Sequence, residues 1–106
     1  MSTQLKKGVL DMVVLSKIAS KDSYGYDIYQ EVNHYMEISE STIYPILRKL
    51  TKEGFTTTYL RESNEGPPRK YFKITRVGMD KLNHLKLDWK QFERVVNTMI
   101  RSDRYE

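Results

Sequence analysis

The sequence predicts a mainly α fold of the α+β class, with three short helices, a β-hairpin and a long final helix. Apolar residues recur at helical spacing in four segments. A fifth segment, rich in Thr, Tyr and Phe, is interrupted by a Gly-Pro-Pro turn, which is typical of a hairpin. The 106 residues fit a single folded unit, which we divide into a body over 1–75 and a final helix over 76–106.

The first helix is predicted from about Leu5 to Ser20 because its apolar residues repeat at helical spacing. Although β-branched residues favour a strand weakly, the length of the segment favours a helix. The residues expected to face the core are Leu10, Val13, Val14 and Ile18, with Val9 and Leu15 widening the stripe.

A second helix is predicted from Tyr24 to about Tyr35, anchored by Ile28 and Val32. Ser23 is the expected N-cap, since its hydroxyl can accept a free N–H of the first turn. Gly25 would allow a neighbouring element to approach closely.

The third helix has two contrasting faces. Its apolar stripe consists of Ile43, Ile46, Leu47 and Leu50, and either Ser39 or Ser41 is its expected cap. The outward residues are Thr42, Tyr44, Pro45, Arg48, Lys49 and Lys52. Pro45 lies about one turn from the helix start, where it either stiffens the helix or presents an apolar bump to a partner.

A basic hairpin follows the helix stop at Gly54, the expected C′ residue. Strands are predicted over Phe55–Arg61 and Arg69–Ile74, with Phe72 and Ile74 on one face of the second strand. The hairpin carries the cations Arg61, Arg69, Lys70 and Lys73. A helix that presents hydrogen-bond donors and cations, followed by a cationic ribbon, fits double-stranded DNA.

Thr75 is expected to cap the final helix, which carries a heptad stripe. The stripe consists of Leu82, Leu85, Trp89, Phe92, Val96 and Met99. It packs either on its own domain or against a second copy, and we favour a two-fold homodimer because the N-terminal helices have apolar stripes to cover one another. Trp89 is then either an aromatic residue of the dimer core or a stacking wall for a flat ligand, with Phe92 and Met12 nearby.

Charge and composition narrow the function classes. Residues 1–55 carry seven basic and seven acidic residues, whereas residues 56–106 carry eleven and seven, so the net charge of +4 lies in the hairpin and final helix. This surplus suits an anionic polymer. Without cysteine, and with His34 and His84 far apart, neither a metal site nor a catalytic site is expected, so we predict a non-enzyme without cofactors. The early charges Asp11 and Lys17 argue against a signal peptide or membrane span, so a cytoplasmic protein is expected.

Three runs of residues together resemble the PadR family of bacterial transcription regulators. They are Ser23–Ile28, Ser41–Leu50 with Glu53-Gly54, and Glu65–Thr75 with Gly78. The resemblance covers nearly the whole chain. It implies a winged helix-turn-helix DNA-binding domain over 1–75, a C-terminal dimerisation helix over 76–106, and repression of target promoters.

The sequence departs from the family pattern at three places. Tyr24 stands where the family often has histidine, the wing tip carries Glu62 and Glu65, and only about thirty residues follow the wing. The acidic tip leaves phosphate contacts to Arg69 and Lys70. The short C-terminus is similar to the subgroup with one C-terminal helix, whose members resemble small-ligand-sensing repressors.

These observations lead to the hypothesis of a ligand-responsive homodimeric repressor that binds an inverted-repeat operator, with a planar aromatic or cationic effector. The residues expected to contact DNA are Tyr24, Ser41, Thr42, Tyr44, Pro45, Arg48, Lys49, Arg69 and Lys70. Arg48 and Lys49 would reach either bases or phosphates. The alternative is a winged-helix dimer that binds a protein or a small molecule without specific DNA binding.

Overall fold

The computed structural model describes residues 9–101. Within this range the chain forms four helices and a three-stranded antiparallel sheet. The elements are α1 (Leu10–Ser20), β1 (Ser23–Tyr24), α2 (Gly25–Met36), α3 (Glu40–Lys52), β2 (Thr56–Ser63), β3 (Gly66–Ile74) and α4 (Arg76–Ile100). This order confirms the predicted class and the hairpin, and it adds the short strand β1.

The core lies where α1, α2 and α3 meet β3 and the start of α4. Its buried apolar side chains are Leu10, Val14, Leu15, Ile18, Ile28, Val32, Ile38, Ile43, Leu47, Leu50, Phe72 and Leu82. Each fully buried aliphatic side chain contributes roughly 1.5–3 kcal/mol to folding. Val13 and Ile46, also predicted as core residues, are only partly buried. The predicted helix start at Leu5 lies outside the described residues, and within them α1 begins at Leu10.

The prediction that Ser23 caps α2 is wrong. Ser23 and Tyr24 pair with Phe72 and Tyr71 of β3 as a short antiparallel strand. The Ser23 hydroxyl therefore donates to the Lys21 carbonyl at 2.9 Å, and the helix starts at Gly25. The backbone pairing with β3 draws Ser23 away from the helix end, a long-range effect that local capping rules do not contain.

A tight turn connects α2 to α3. Glu37 ends α2 in the left-handed conformation, with φ of 53°, and its N–H donates to the Asn33 carbonyl at 2.9 Å. Ile38, the next residue of the turn, is buried. The two helices thus form a helix-turn-helix pair, with the second helix carrying the two-faced sequence.

The two ends of α3 differ in how they are capped. Ser39 occupies the N-cap position, and its carbonyl accepts the N–H groups of Thr42 and Ile43. At the other end Gly54 has φ of 83°, while Gly54 N–H donates to Thr51 and Phe55 N–H donates to Leu50. These two bonds form a Schellman motif, which confirms Gly54 as the C′ residue.

The sheet has the strand order β1-β3-β2. The hairpin is longer than predicted, since β2 continues to Ser63 and β3 already begins at Gly66. Its register pairs Tyr59 with Tyr71 and Arg61 with Arg69, and becomes irregular between Arg61 and Ser63. Phe72 points into the core, as alternation predicts, so Arg69 and Tyr71 lie on the opposite, outer face of the sheet.

The start of α4 is fastened to the hairpin. Thr75 Oγ1 accepts the Gly78 N–H at 2.9 Å, which confirms the predicted cap, and donates to the Gly54 carbonyl at 2.7 Å. Gly78 lies so close to the hairpin that an added Cβ would stand 2.0 Å from the Phe55 carbonyl oxygen. Only glycine fits this approach.

The heptad stripe of α4 is divided between two environments. Leu82 is 1% exposed and belongs to the core of its own chain, and Leu85 is partly buried against that core. This burial corrects the assignment of Leu82 to a dimer interface, because the side chain has no free surface for a second copy. Farther along, Phe92 and Met99 are 62% and 67% exposed. The helix continues beyond the core, and the molecule measures 63 × 28 × 19 Å. Residues 102–106 of the predicted dimerisation segment lie outside the described residues.

Candidate nucleic-acid interface

The second helix of the helix-turn-helix pair, α3, buries Ile43, Leu47 and Leu50 and leaves its other face open. Helical geometry places Ser41, Pro45 and Arg48 opposite this apolar stripe, and all three are exposed. The open face therefore offers a hydroxyl, an apolar ring and a guanidinium group along one side of the helix. Both interpretations of Pro45 remain predictions.

Hydroxyl groups cluster at the start of α3. Ser39 Oγ lies 2.9 Å from Ser41 Oγ and 3.2 Å from Thr42 Oγ1, so the three side chains share hydrogen bonds. None of these bonds caps a helix N–H through the Ser39 side chain. The cluster holds the predicted residues Ser41 and Thr42 side by side at the end of the helix where the backbone N–H groups are free.

Tyr44 lies at the contact between α3 and the start of α2. Its ring is 3.4 Å from the position a Cβ would take on Gly25, so this glycine allows the close approach predicted from the sequence. Burial, together with the Glu40 carboxylate and the nearby Tyr24, raises the pKa of Tyr44 above 10.0. The phenol is therefore protonated at neutral pH, and its O–H is available as a hydrogen-bond donor.

The two predicted cations of α3 differ in their surroundings. Arg48 is exposed, and among the described residues it has no ion-pair partner. Lys49 instead donates from Nζ to Asp11 of α1 at 2.6 Å. This ion pair holds Lys49 against α1, while its side chain stays 47% exposed, so its contact with bases or phosphates remains a prediction.

The two predicted cations of the hairpin point to opposite faces, because they are successive residues of β3. The Arg69 guanidinium lies on the outer face, 4.9 Å from the centre of the Tyr24 ring. The Lys70 ammonium lies on the other face, 5.9 Å from the centre of the Phe72 ring. The hairpin therefore presents positive charge on both sides, beyond the part of the sheet that packs on the helices.

A row of tyrosines crosses the outer face of the sheet. Tyr24, Tyr71 and Tyr59 are in register on the three strands, with ring centres 6.1 Å and 5.8 Å apart. The Tyr59 hydroxyl donates to Asp22 at 2.7 Å, a bond that raises the pKa of Tyr59 above 10.0. The Arg61 guanidinium lies 4.5 Å from the centre of the Tyr71 ring. Arg61 is thus part of the same surface, although the predicted contact set omits it.

The three predicted ligand-binding residues are not enclosed in one cavity. Trp89 and Phe92 are 40% and 62% exposed on the far half of α4, whereas Met12 packs against the core from α1. A groove of about 640 Å³ lies elsewhere, between α1, α2 and the outer sheet face, and Asp22, Tyr24, Arg61 and Tyr71 contribute to its lining. The site at Trp89 remains a prediction.

The remaining predictions concern absences. His34 and His84 are exposed, as expected for surface residues. Among the described residues no group of His, Asp and Glu is arranged to hold a metal ion. No helix in residues 9–101 combines the length and apolar character needed to cross a membrane.

A helix-turn-helix pair is followed by a basic hairpin, and the short strand β1 before α2 adds a third strand to the sheet. This arrangement defines a winged-helix domain of the DNA-binding class. The model of the PadR-like family of transcriptional regulators matches residues 14–84 of the chain. The chain therefore belongs to the PadR-like family and is a DNA-binding transcriptional regulator.

Solved structures agree with this assignment. A PadR-like transcriptional regulator from Bacillus cereus is 33% identical, covers 94% of this chain and 99% of its own, and superposes with a TM-score of 0.85. A Streptococcus transcriptional regulator is 34% identical over 94% of this chain and 100% of its own, with a TM-score of 0.84. A PadR family regulator from Clostridium difficile is 28% identical over 88% of this chain and 99% of its own, with a TM-score of 0.80.

Three features of the surface depend on contacts distant in sequence. The strand β1, the tyrosine row and the Lys49–Asp11 ion pair each join residues from separate elements. In the sequence, the signal for the tyrosine row was the alternation within the two hairpin strands. It places Arg61, Arg69, Tyr59 and Tyr71 on one face.

Proposed function

We propose that the protein is a homodimeric repressor whose DNA binding responds to a small molecule. Residues 1–75 would contact an inverted-repeat operator, and residues 76–106 would pair the two subunits. The observation that carries the proposal is the set of cations without ion-pair partners among residues 9–101. Arg48 lies on the open face of α3, and Arg69 and Lys70 lie on the hairpin.

In this proposal α3 enters the major groove. Ser41, Thr42 and Tyr44 then supply hydroxyl groups to base edges or nearby phosphates, and Arg48 reaches a guanine or a phosphate. Tyr44 is half-buried against α2, so its hydroxyl has a defined position rather than a mobile one. A positioned donor favours a role in sequence preference.

The hairpin acts as a wing on the DNA backbone. Arg69 and Lys70 neutralise phosphates from its two faces, and Tyr24 adds a phenol at the N-cap of α2. The free N–H groups of the first turn of α2 favour an anion at the same place. Backbone contacts of this kind fix the register of α3 without reading the sequence.

Dimerisation rests on the uncovered half of α4. Trp89, Phe92 and Met99 are exposed at heptad spacing, which is a stripe that a second copy of the helix can cover. Two-fold symmetry then requires an operator with two half-sites about one helical turn apart. The same pairing places two Trp89 rings near the dimer axis, where a planar aromatic or cationic compound would change the distance between the two α3 helices.

The DNA-binding proposal is tested with two substitutions on labelled duplexes, one carrying the promoter of the protein's own gene and one of scrambled sequence. Tyr44→Ala is expected to weaken promoter binding more than scrambled binding, by about tenfold for one good contact. Arg69→Ala is expected to weaken both equally and to flatten the salt dependence by about one unit per subunit. Fluorescence anisotropy over a series of salt concentrations measures both effects.

Equal losses on both duplexes would reduce Tyr44 to a backbone contact. A change in base preference without a change in salt dependence would overturn the role of Arg69. If the wild-type protein fails to bind either duplex at low salt, the alternative of a protein-binding or ligand-binding dimer is favoured.

The effector proposal uses Trp89, the single tryptophan of the chain, as an internal probe. A planar aromatic or cationic compound that stacks on Trp89 is expected to quench its fluorescence and to change promoter affinity at the same concentrations. If such compounds leave the fluorescence unchanged in a protein that binds DNA, Trp89 is a dimer-core residue only.

A further inference from the structure

The outer face of the hairpin holds two arginines directly opposite each other. Arg61 of β2 and Arg69 of β3 are paired in register, so their side chains leave the sheet on the same side. Among residues 9–101 the ion pairs within 4.0 Å involve Lys17 and Lys49 only, so neither guanidinium has a carboxylate partner. Two unneutralised like charges face each other across one rung of the hairpin.

We propose that Arg61 and Arg69 form a clamp that holds one backbone phosphate of bound DNA. The inference rests on the proposed function and adds to it a contact residue, Arg61, and a shared ligand for both arginines. Like charges directly opposite on neighbouring strands destabilise a hairpin. A phosphate between them converts this repulsion into two charge-assisted hydrogen-bonding interactions.

Aromatic rings keep the two guanidiniums in place. Arg61 lies 4.5 Å from the centre of the Tyr71 ring, and Arg69 lies 4.9 Å from that of Tyr24. The centres of these two rings are 6.1 Å apart. The register and the two neighbouring rings therefore keep both guanidiniums on one patch of the outer face, and the stacked guanidiniums keep their N–H edges free for a phosphate.

The Tyr71 ring, on which Arg61 lies, is itself held in place by Tyr59 of β2. Tyr59 stacks on Tyr71 at 5.8 Å between ring centres, with an angle of 21° between the planes. The Tyr59 hydroxyl donates to Asp22 in the connection between α1 and β1. This chain of contacts ties the edge strand β2 to the helical body, so Arg61 is positioned although it is exposed.

The location of the pair favours the DNA backbone as the source of the phosphate. Arg69 stacks on Tyr24, the N-cap residue of α2, and α2 precedes the turn into α3. The clamp therefore flanks the helix-turn-helix pair. A phosphate bound there would anchor the wing and the start of α2 to the same stretch of backbone.

A double-mutant cycle tests the clamp on the full-length protein with the promoter duplex. Arg61→Ala is expected to weaken binding about tenfold, and the loss should shrink as salt is raised. In an Arg69→Ala background the same substitution is expected to cost less than about threefold, because the shared phosphate is already released. Circular dichroism confirms that each variant is folded.

Lys73→Ala is the matched control. Lys73 is exposed on the same face of β3, beyond the tyrosine row and away from the arginine pair, and its removal deletes the same charge. Its loss is expected to stay within about twofold, as for a distant surface charge. Equal losses for Arg61→Ala and Lys73→Ala would overturn the clamp, and additive losses of Arg61 and Arg69 would show two separate phosphates. Failure of the wild-type protein to bind the duplex would instead remove the proposed function, and the clamp with it.

Discussion

The two halves of α4 carry one heptad stripe but lie in different environments. In the first half, Gly78 and Leu82 are buried against the hairpin and the helical core. In the second half, the stripe residues Trp89, Phe92 and Met99 are 40%, 62% and 67% exposed. The spacing of apolar residues does not change between the halves, so the stripe itself does not determine which surface covers it.

The difference divides α4 into two parts of one continuous helix. Its first half completes the domain, because the Thr75 cap and the Gly78 contact fix its direction relative to the hairpin. Its second half continues this direction away from the core with an uncovered apolar side. Exposed apolar patches of this kind mark interaction surfaces. The fixed start therefore sets the orientation of any partner that the second half binds.

The largest effect on stability is expected from Gly78→Ala, a substitution in the buried first half of α4. The new methyl group would lie 2.0 Å from the Phe55 carbonyl oxygen, a backbone atom that cannot rotate away. We expect a loss of about 3 kcal/mol or more in the free energy of unfolding, measured by chemical denaturation. Gly25→Ala is the control, since its methyl group meets side chains at 3.4 Å and should cost less than about 1 kcal/mol. Equal stability of the two variants would show that α4 is not held at Gly78.

A loss of similar size is expected from Leu82→Ala in the same half. Leu82 is 1% exposed, so its truncation leaves a cavity and should cost about 2–5 kcal/mol. The same substitution at Leu87, which is 66% exposed, should change the free energy of unfolding by less than about 0.5 kcal/mol. If Leu82→Ala were as mild as Leu87→Ala, the first half of α4 would not belong to the core.

The smallest effect on the stability of one subunit is expected from Phe92→Asp, a substitution in the exposed second half of α4. Phe92 contributes little to the core of one chain, so the variant should remain folded, within about 0.5 kcal/mol. Its charge would, however, be buried in a paired stripe, so sedimentation should show dissociation to monomers. Leu87→Asp introduces the same charge on the opposite side of the helix and should leave the dimer intact. Dissociation by both variants or by neither would contradict pairing through the stripe.

The sequence predicted those features of the fold that depend on local patterns. The burial of Ile43, Leu47 and Leu50 follows helical spacing, and the stop at Gly54 follows from its left-handed conformation. The caps of the other helices show the limit of this reasoning. Thr75 caps α4 as expected, whereas Ser23 does not cap α2 because β3 recruits it into the sheet.

The sequence predicted which single residues of the candidate interface are exposed. It did not predict which residues from different elements contact one another. Helical spacing predicted Pro45, Arg48 and Lys52 on the outward face of α3, and all three are exposed. It did not identify Asp11 as the partner of Lys49, because the two residues come together only when α1 packs on α3. The same limit applies to Arg61, whose role depends on strand register and on rings from two other strands.

The central claim is that two copies pair through the exposed half of α4 and so hold their DNA-binding surfaces at a fixed distance. The most direct test is hydroxyl-radical footprinting of the wild-type protein on the promoter of its own gene. Two equally protected segments, related by two-fold symmetry and separated by about one helical turn, are the expected result. A single asymmetric segment, or no protection at protein concentrations where the chain is folded, would contradict a homodimer that binds DNA through paired α3 helices and wings.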